Sequence, residues 1–126
     1  MADNKMVERD NQEGRGPFVI AVPQDKMGRG DDELGAVLVK SFFHAVTEQA
    51  RKPDIMIFYN TGVKLAVTGS DVLEDLKKLE DDGVRILSCG TCLNYFEIKD
   101  KLACGSVSNM YDIVEIMSVA GRLLTI

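Results

Sequence analysis

The sequence predicts an α/β domain with three layers, an α/β/α arrangement in which a five-stranded parallel sheet has helices on both faces. Short apolar runs rich in Val and Ile recur along the chain without alternating polar residues, which is typical of strands buried on both faces. Stretches with apolar residues at helical spacing separate these runs, as in a parallel sheet whose strands are connected by helices. The length of 126 residues fits a single core.

The first half of the chain is predicted to form two strands and the helix between them. The first strand is residues 18–22, FVIAV, which lies between two prolines. Asp31 and Asp32 are placed to cap the helix that follows, because acidic side chains stabilise the positive end of a helix dipole. Residues 55–59, IMIFY, form the second predicted strand, and a loop with a helical turn follows it.

The first helix carries apolar residues on more than one side. Its predicted inner face follows helical spacing and consists of Leu34, Val37, Leu38, Phe42, Ala45 and Val46. Val39 and Phe43 widen this apolar face. Two explanations fit the wide face, a crowded core and a contact in an oligomer.

The middle of the chain is predicted to form a second helix and the third strand. Ser70 is expected to cap this helix, and Gly83 is expected to end it in the left-handed conformation. Its inward-facing residues are Val72, Leu73, Leu76 and Leu79. The third strand, residues 84–88, runs directly into Cys89.

The last part of the chain is predicted to alternate between helix and strand twice more. A helix is expected over residues 91–102, and a short strand over residues 104–107. Asn109 is placed to cap the final helix, and the sequence RLLTI, residues 122–126, forms the fifth strand. The expected inner face of the final helix consists of Met110, Ile113, Val114 and Met117.

Composition argues against several classes of protein. The net charge of −5 and the pI near 4.8 do not suit nucleic-acid binding, which needs a cluster of Lys and Arg. No apolar stretch approaches the roughly 20 residues that span a bilayer, so a membrane protein is not expected.

Residues 1–16 read as a polar flexible leader before a single domain at 17–126. Three cysteines, an odd number, favour a reducing cytoplasm over a secreted disulfide framework.

Four loops are expected to meet at the carboxyl edge of the sheet, where open parallel sheets bind ligands. These loops span residues 24–30, 60–64, 89–92 and 108–110. They carry two thiols, two cations and three polar side chains, namely Cys89, Cys92, Arg29, Lys64, Asn60, Thr61 and Asn109. The sequence therefore predicts a site at this edge that is centred on the two thiols.

A thiol at this position has a functional and a structural interpretation. With a pKa of about 8.5, a free thiol is only slightly ionised at neutral pH. A helix N-terminus near Thr91, together with Lys64 or Arg29, would favour the thiolate if these groups lie close. Alternatively, Cys89 is a small buried residue that ends a strand. The sequence leaves both interpretations open.

A C-x-x-C motif can also bind zinc or act in a thioredoxin-type oxidoreductase, but each of these uses requires further residues that this chain largely lacks. Zinc takes four ligands, and beyond the pair the sequence offers only Cys104, expected in the core, and His44, expected on the flank of a helix. We therefore expect neither a metal nor another cofactor. A thioredoxin-type oxidoreductase needs a cis-proline that faces the disulfide, and all three prolines precede the motif. A reversible disulfide between Cys89 and Cys92 is still chemically easy.

Three long stretches resemble a known family. They are MGRGDDELGAVLVKSFFHAVTE, FYNTGVKLAVTGSDVLEDLKKLEDDGVRILSCGTCLNYF and KLACGSVSNMYDIVEIM, and they resemble the C-terminal domain of YedF-type selenium metabolism proteins. That domain belongs to the wider DsrE/DsrF-like sulfur-relay superfamily. The resemblance covers residues 17–126 and implies the DsrE-like five-stranded fold and assembly into homo- or hetero-oligomers, often trimers or hexamers.

The resemblance also implies a function. It suggests a cytoplasmic sulfur carrier or sulfurtransferase, with selenium as a possible cargo, that holds a persulfide on Cys89. We infer separately, not from the resemblance, that Cys92 acts as the resolving or assisting thiol. The expected partner is a sulfur donor or acceptor protein, for example a TusA-like domain such as the small Cys-Pro domain that begins YedF-type proteins.

Two other classes of function fit the same sequence. One is a non-catalytic oligomeric binding module, whose cysteines sense redox state or simply pack. The other is a dithiol oxidoreductase. The sequence alone does not decide whether the protein is an enzyme.

Overall fold

The computed structural model describes residues 16–126, so the predicted leader lies outside the described residues except for Gly16. The strands are β1 (Phe18–Val22), β2 (Ile55–Phe58), β3 (Arg85–Cys89), β4 (Ser106–Ser108) and β5 (Arg122–Thr125). The helices are α1 (Asp32–Glu48), α2 (Leu73–Asp81), α3 (Gly90–Tyr95) and α4 (Met110–Ser118). Two 3₁₀ helices, Asn60–Ala66 and Lys99–Lys101, lie between them.

The five strands form one parallel sheet in the order β4-β3-β2-β1-β5. Helices cover both faces. On one face Phe43 of α1 stacks on Phe58 of β2, with ring centroids 6.0 Å apart. On the other face Ile116 of α4 and Leu87 of β3 line a common depression. The predicted α/β class with a five-stranded parallel sheet is confirmed.

The core lies around the three central strands. Every residue of β1 and β2 is buried, and so are the last four residues of β3. Burial on both faces explains why these strands are continuous apolar runs, since each side chain removed from water contributes about 1.5–3 kcal/mol. By contrast, all four residues of β5 are exposed at one edge of the sheet. Among residues 16–126, no helix is both long and apolar enough to cross a membrane.

The predicted inner face of α1 is wrong for most of its residues. The helix buries Gly35, Val39, Phe43, Val46 and Thr47. Leu34, Val37 and Leu38 are instead 54%, 54% and 40% exposed, and Ala45 is exposed as well. Apolar residues occur around much of this helix, so spacing alone does not show which side meets the sheet. The large Phe43 ring, which fits against Phe58, sets the orientation.

Two boundaries in the last third of the chain also differ from the prediction. The helix expected over residues 91–102 ends at Tyr95, because Glu97 adopts a left-handed φ of 58° that cannot continue a helix. The short strand expected at 104–107 is Ser106–Ser108. Only Ile113 of the expected inner face of α4 is buried, whereas Met110 and Val114 are exposed.

The predicted helix starts and stops are mostly as expected. The Asp31 side chain accepts a hydrogen bond from the Leu34 amide at 2.8 Å, and so caps α1. Gly83 follows α2 with a φ of 101°, as a left-handed C′ residue does. Ser70 accepts a hydrogen bond from the Val72 amide at 3.2 Å, but α2 itself begins only at Leu73.

Ser88 provides a test of the packing next to the site. Its hydroxyl is fully buried and has no hydrogen-bond partner among the described residues. Because an unsatisfied buried hydroxyl is unfavourable, Ser88→Ala should leave the free energy of unfolding unchanged or raise it by about 1 kcal/mol. Chemical denaturation measures this change.

Thr47→Val is the matched control for Ser88→Ala. Thr47 is also buried, but its Oγ1 donates a hydrogen bond to the His44 carbonyl at 2.6 Å. Its replacement should therefore lower the free energy of unfolding by about 1 kcal/mol. An equal loss in Ser88→Ala would show that the Ser88 hydroxyl also has a partner.

Candidate functional site

The two cysteines of the C-x-x-C motif come together at the turn from β3 into α3. Cys89 is the last residue of β3 and also the N-cap of α3, while Cys92 lies in the first turn of that helix. Gly90 allows the turn to pass close to β4, because a Cβ atom there would lie only 3.0 Å from Val107 Cγ1. The strand and the short helix thus place both thiols at the carboxyl edge of the sheet.

The two thiols are neighbours but differ in exposure. Both are free, and Cys89 lies close enough to Cys92 to raise the pKa of its thiol. Cys89 is only 2% exposed, whereas Cys92 is half-buried. Of this pair, Cys92 is the thiol that solvent reaches.

A backbone amide also contacts the accessible sulfur. The N–H of Asn60, the first residue of the 3₁₀ helix that follows β2, donates a hydrogen bond to Cys92 Sγ at 3.1 Å. Asn60 adopts a left-handed φ of 52°, which Asn tolerates better than most residues. Asn60 was expected to act in the site, and in the structure it contacts the sulfur through its backbone.

Burial raises the pKa of the Cys92 thiol, and this is the largest of several effects. The Asn60 amide acts in the opposite direction, because it stabilises the thiolate, while the neighbouring Cys89 adds to the increase. Neither Lys64 nor Arg29 is among the groups that shift this pKa. In the free protein Cys92 is therefore mainly a protonated thiol at neutral pH.

The 3₁₀ helix is fixed beside the sheet by close backbone packing. A Cβ atom at Gly62 would overlap the Val22 carbonyl, so glycine lets this segment approach the end of β1. Thr61 Oγ1 accepts a hydrogen bond from the Asp25 amide at 3.2 Å, which ties the loop after β1 to the same segment. Thr61 thus connects two of the loops that were expected to converge.

The two predicted cations lie on exposed parts of this edge. Lys64 is exposed, and its Nζ lies 4.5 Å from the centroid of the Phe96 ring, just after α3. Arg29 is exposed between Gly28 and Gly30, two residues with positive φ. Phe96 was not predicted as a residue of the site, and nothing in its local sequence indicated that its ring would contact a lysine from another loop.

Asn109 has a structural task. Its Oδ1 accepts a hydrogen bond from the Asp112 amide at 3.0 Å, and its Nδ2 donates to the Asp112 carboxylate at 3.2 Å. These contacts cap α4 as predicted. The structure therefore brings Cys89, Cys92 and Asn60 together, with Thr61 and Lys64 on the adjoining 3₁₀ helix.

The third cysteine and the histidine have partners of their own. Cys104 Sγ donates to Glu80 Oε1 at 3.5 Å, and burial, followed by the Glu80 charge, raises the pKa of Cys104 to about 12. His44 Nδ1 lies 3.6 Å from Asp75 Oδ1. Within residues 16–126, no group of three or more His, Cys, Asp or Glu side chains is arranged to hold a metal ion.

Comparisons with known proteins agree with this architecture. A model of the DsrE/DsrF-like family matches residues 27–126. The fold is similar to that of the YchN protein from E. coli, with a TM-score of 0.66 and 17% identity over 86% of this chain and 98% of that one. It is also similar to MTH1491 from Methanobacterium thermoautotrophicum, a protein of unknown function, with a TM-score of 0.62 and 20% identity over 86% and 96%. No significant match was found among curated proteins.

The difference in exposure predicts an order of chemical reactivity. In the native protein, iodoacetamide should alkylate Cys92 before Cys89 and Cys104, because only Cys92 is both accessible and outside the core. Its rate should rise about tenfold per pH unit and should keep rising beyond pH ~8.5, since the pKa is raised and only the thiolate reacts. Mass spectrometry of peptides measures each rate.

Unfolded protein is the control for this order, since all three cysteines should react at similar rates in urea. If Cys89 reacted as fast as Cys92 in the native state, the burial of Cys89 would not hold in solution.

Proposed function

The chain belongs to the DsrE/DsrF-like family, and on this premise we propose that it is a sulfur carrier or sulfurtransferase that works through Cys89 and Cys92. Sulfane sulfur would be taken from a persulfide donor and held as a persulfide on Cys89, the position that the resemblance implies. The observation that carries the proposal is a pair of free, neighbouring thiols at the carboxyl edge, one of them accessible.

The surroundings of the pair suit this chemistry. A persulfide is more acidic than a thiol, so it carries negative charge at neutral pH and benefits from hydrogen-bond donors. The Asn60 amide supplies one such donor at 3.1 Å from Cys92 Sγ. Lys64 and Arg29 add positive charge on the exposed rim, where we propose that they and Thr61 contact an approaching anionic partner.

The proposed partner is a protein that donates or accepts sulfur. A TusA-like domain is one candidate, and selenium is an alternative cargo, both from the YedF-type resemblance. That closer relationship within the family stays a prediction, as do the cytoplasmic location and the proposed substrate contact of Asn109.

Redox sensing is a second candidate, favoured by the proximity of the two thiols. Loss of two electrons to an oxidant would join Cys89 and Cys92 in a disulfide, which a non-catalytic binding module could use as a signal. This alternative predicts a reversible disulfide under mild oxidation together with no uptake of sulfur.

Sulfur loading tests the proposal directly. After incubation with a cysteine desulfurase and cysteine, the wild-type protein should gain the mass of one sulfur atom, and tandem mass spectrometry should locate it on Cys89. After a wash with dilute thiol, Cys89→Ser should retain about tenfold less sulfur than wild type. The reason is that this variant lacks the buried thiol on which the persulfide would be protected.

Cys104→Ser is the matched control for loading. Cys104 is a buried cysteine whose partner is Glu80, and a serine hydroxyl can make the same hydrogen bond. This variant should load and retain sulfur as wild type does. Equal retention in Cys89→Ser would contradict the assignment of the persulfide to Cys89.

We also propose that the protein associates with itself through the outer side of α1. Leu34, Val37 and Leu38 lie at helical spacing there and are all exposed, although large apolar groups seldom cluster at a solvated surface. A homo-oligomer, a trimer or hexamer in line with the resemblance, would cover this stripe.

A charged residue introduced into this apolar stripe tests the proposed self-association. Val37→Glu should raise the dissociation constant by at least about tenfold, because a carboxylate would be buried at the interface. Light scattering over a range of concentrations measures the mass. Lys78→Glu, on the exposed face of α2, adds negative charge elsewhere and should leave the mass unchanged. A monomeric wild type would contradict the proposal.

A further inference from the structure

We infer that Cys92 takes sulfur from the external donor and then passes it to Cys89, an order of transfer that rests on the proposed function. Sulfur transfer requires the attacking sulfur to touch the sulfur that it takes. Cys89 is 2% exposed at the end of β3, so a sulfur atom held by another molecule cannot reach it in this conformation. Cys92 lies in the first turn of α3 and is reached from solvent.

The hydrogen bonds of the pair favour the same order. The Asn60 amide points at Cys92 Sγ from 3.1 Å, so it can stabilise the thiolate of Cys92 both as the attacking group and, in the next step, as the leaving group. Cys89 and Cys92 lie on the same turn from β3 into α3, close enough for Cys89 to influence the pKa of Cys92, so the second transfer needs no large movement of the backbone. The amide and the proximity of the two thiols thus serve two consecutive steps.

Each step balances without an outside oxidant. In the first, the Cys92 thiolate attacks the terminal sulfur of a donor persulfide; a bond from Cys92 Sγ to that sulfur forms, the donor S–S bond breaks, and the donor leaves as a thiolate that takes up a proton. In the second step, Cys89 loses its proton and attacks the outer sulfur of the Cys92 persulfide, so that a bond from Cys89 Sγ to that sulfur forms. The bond to Cys92 breaks, and Cys92 takes up a proton and returns to a thiol.

Burial gives the second step a purpose. A persulfide left on Cys92 would face solvent and would exchange with any free thiol. On Cys89 the same group would be attached to a side chain that is only 2% exposed, at the end of a buried strand. Cys92 is therefore the entry and exit group, and Cys89 is the storage group.

Single-turnover loading with a small-molecule persulfide, glutathione persulfide, separates the two roles. Cys92→Ser and Cys92→Ala should load Cys89 at least about tenfold more slowly than wild type, since the accessible attacking thiol is missing. Cys89→Ser should still load on Cys92, no more slowly than wild type because the contribution of Cys89 to the raised Cys92 pKa is removed, but should lose its sulfur rapidly to added thiol. Cys104→Ser should match wild type in both respects.

The wild type itself supplies a second measurement that does not depend on how the variants fold. Rapid quenching followed by tandem mass spectrometry should find sulfur first on Cys92 and later on Cys89. If Cys89 carries sulfur from the earliest time, and Cys92→Ser loads at the wild-type rate, the order of transfer is overturned while the proposed function stands. If the wild type takes up no sulfur, the proposed function fails and the inference fails with it.

Discussion

The parallel register of β3 determines where both thiols lie, and the rest of the site depends on it. β3 pairs Ser88 with Phe58 of β2, and pairs Cys89 with Ser108 of β4. A slip of one residue would turn every side chain of β3 to the opposite face and would move Cys89 away from its place opposite Ser108. The turn into α3 then places Cys92 near Cys89, and the 3₁₀ helix after β2 places the Asn60 amide against the second sulfur.

The fold thereby gives two chemically identical side chains different surroundings. Cys89 belongs to a strand and shares its burial, whereas Cys92 belongs to a short helix at the edge and keeps contact with solvent. Proteins often separate two roles by giving like groups unlike environments. Here the difference in exposure comes from secondary structure, because β3 ends at Cys89 and α3 begins at Gly90.

Much of this architecture could be predicted from the sequence, and the misses have physical reasons. Strands 18–22 and 55–58 were predictable because a doubly covered strand must be apolar at every position. The orientation of α1 was not, because its apolar residues occupy too much of its circumference. The convergence of Cys89, Cys92 and Asn60 follows from the rule for parallel sheets. The burial of Cys89 and the use of the Asn60 backbone depend on how β4, α3 and the 3₁₀ helix pack, which no local pattern encodes.

The exposure of the edge strand β5 has a consequence for local opening of the sheet. Among the described residues β5 pairs with β1 alone and buries none of its four side chains, so its local opening should require less free energy than that of any central strand. Amide protons of β5 would then exchange with solvent first. The sulfur-bearing turn lies three strands away, beyond β1 and β2, and such fraying would leave it undisturbed.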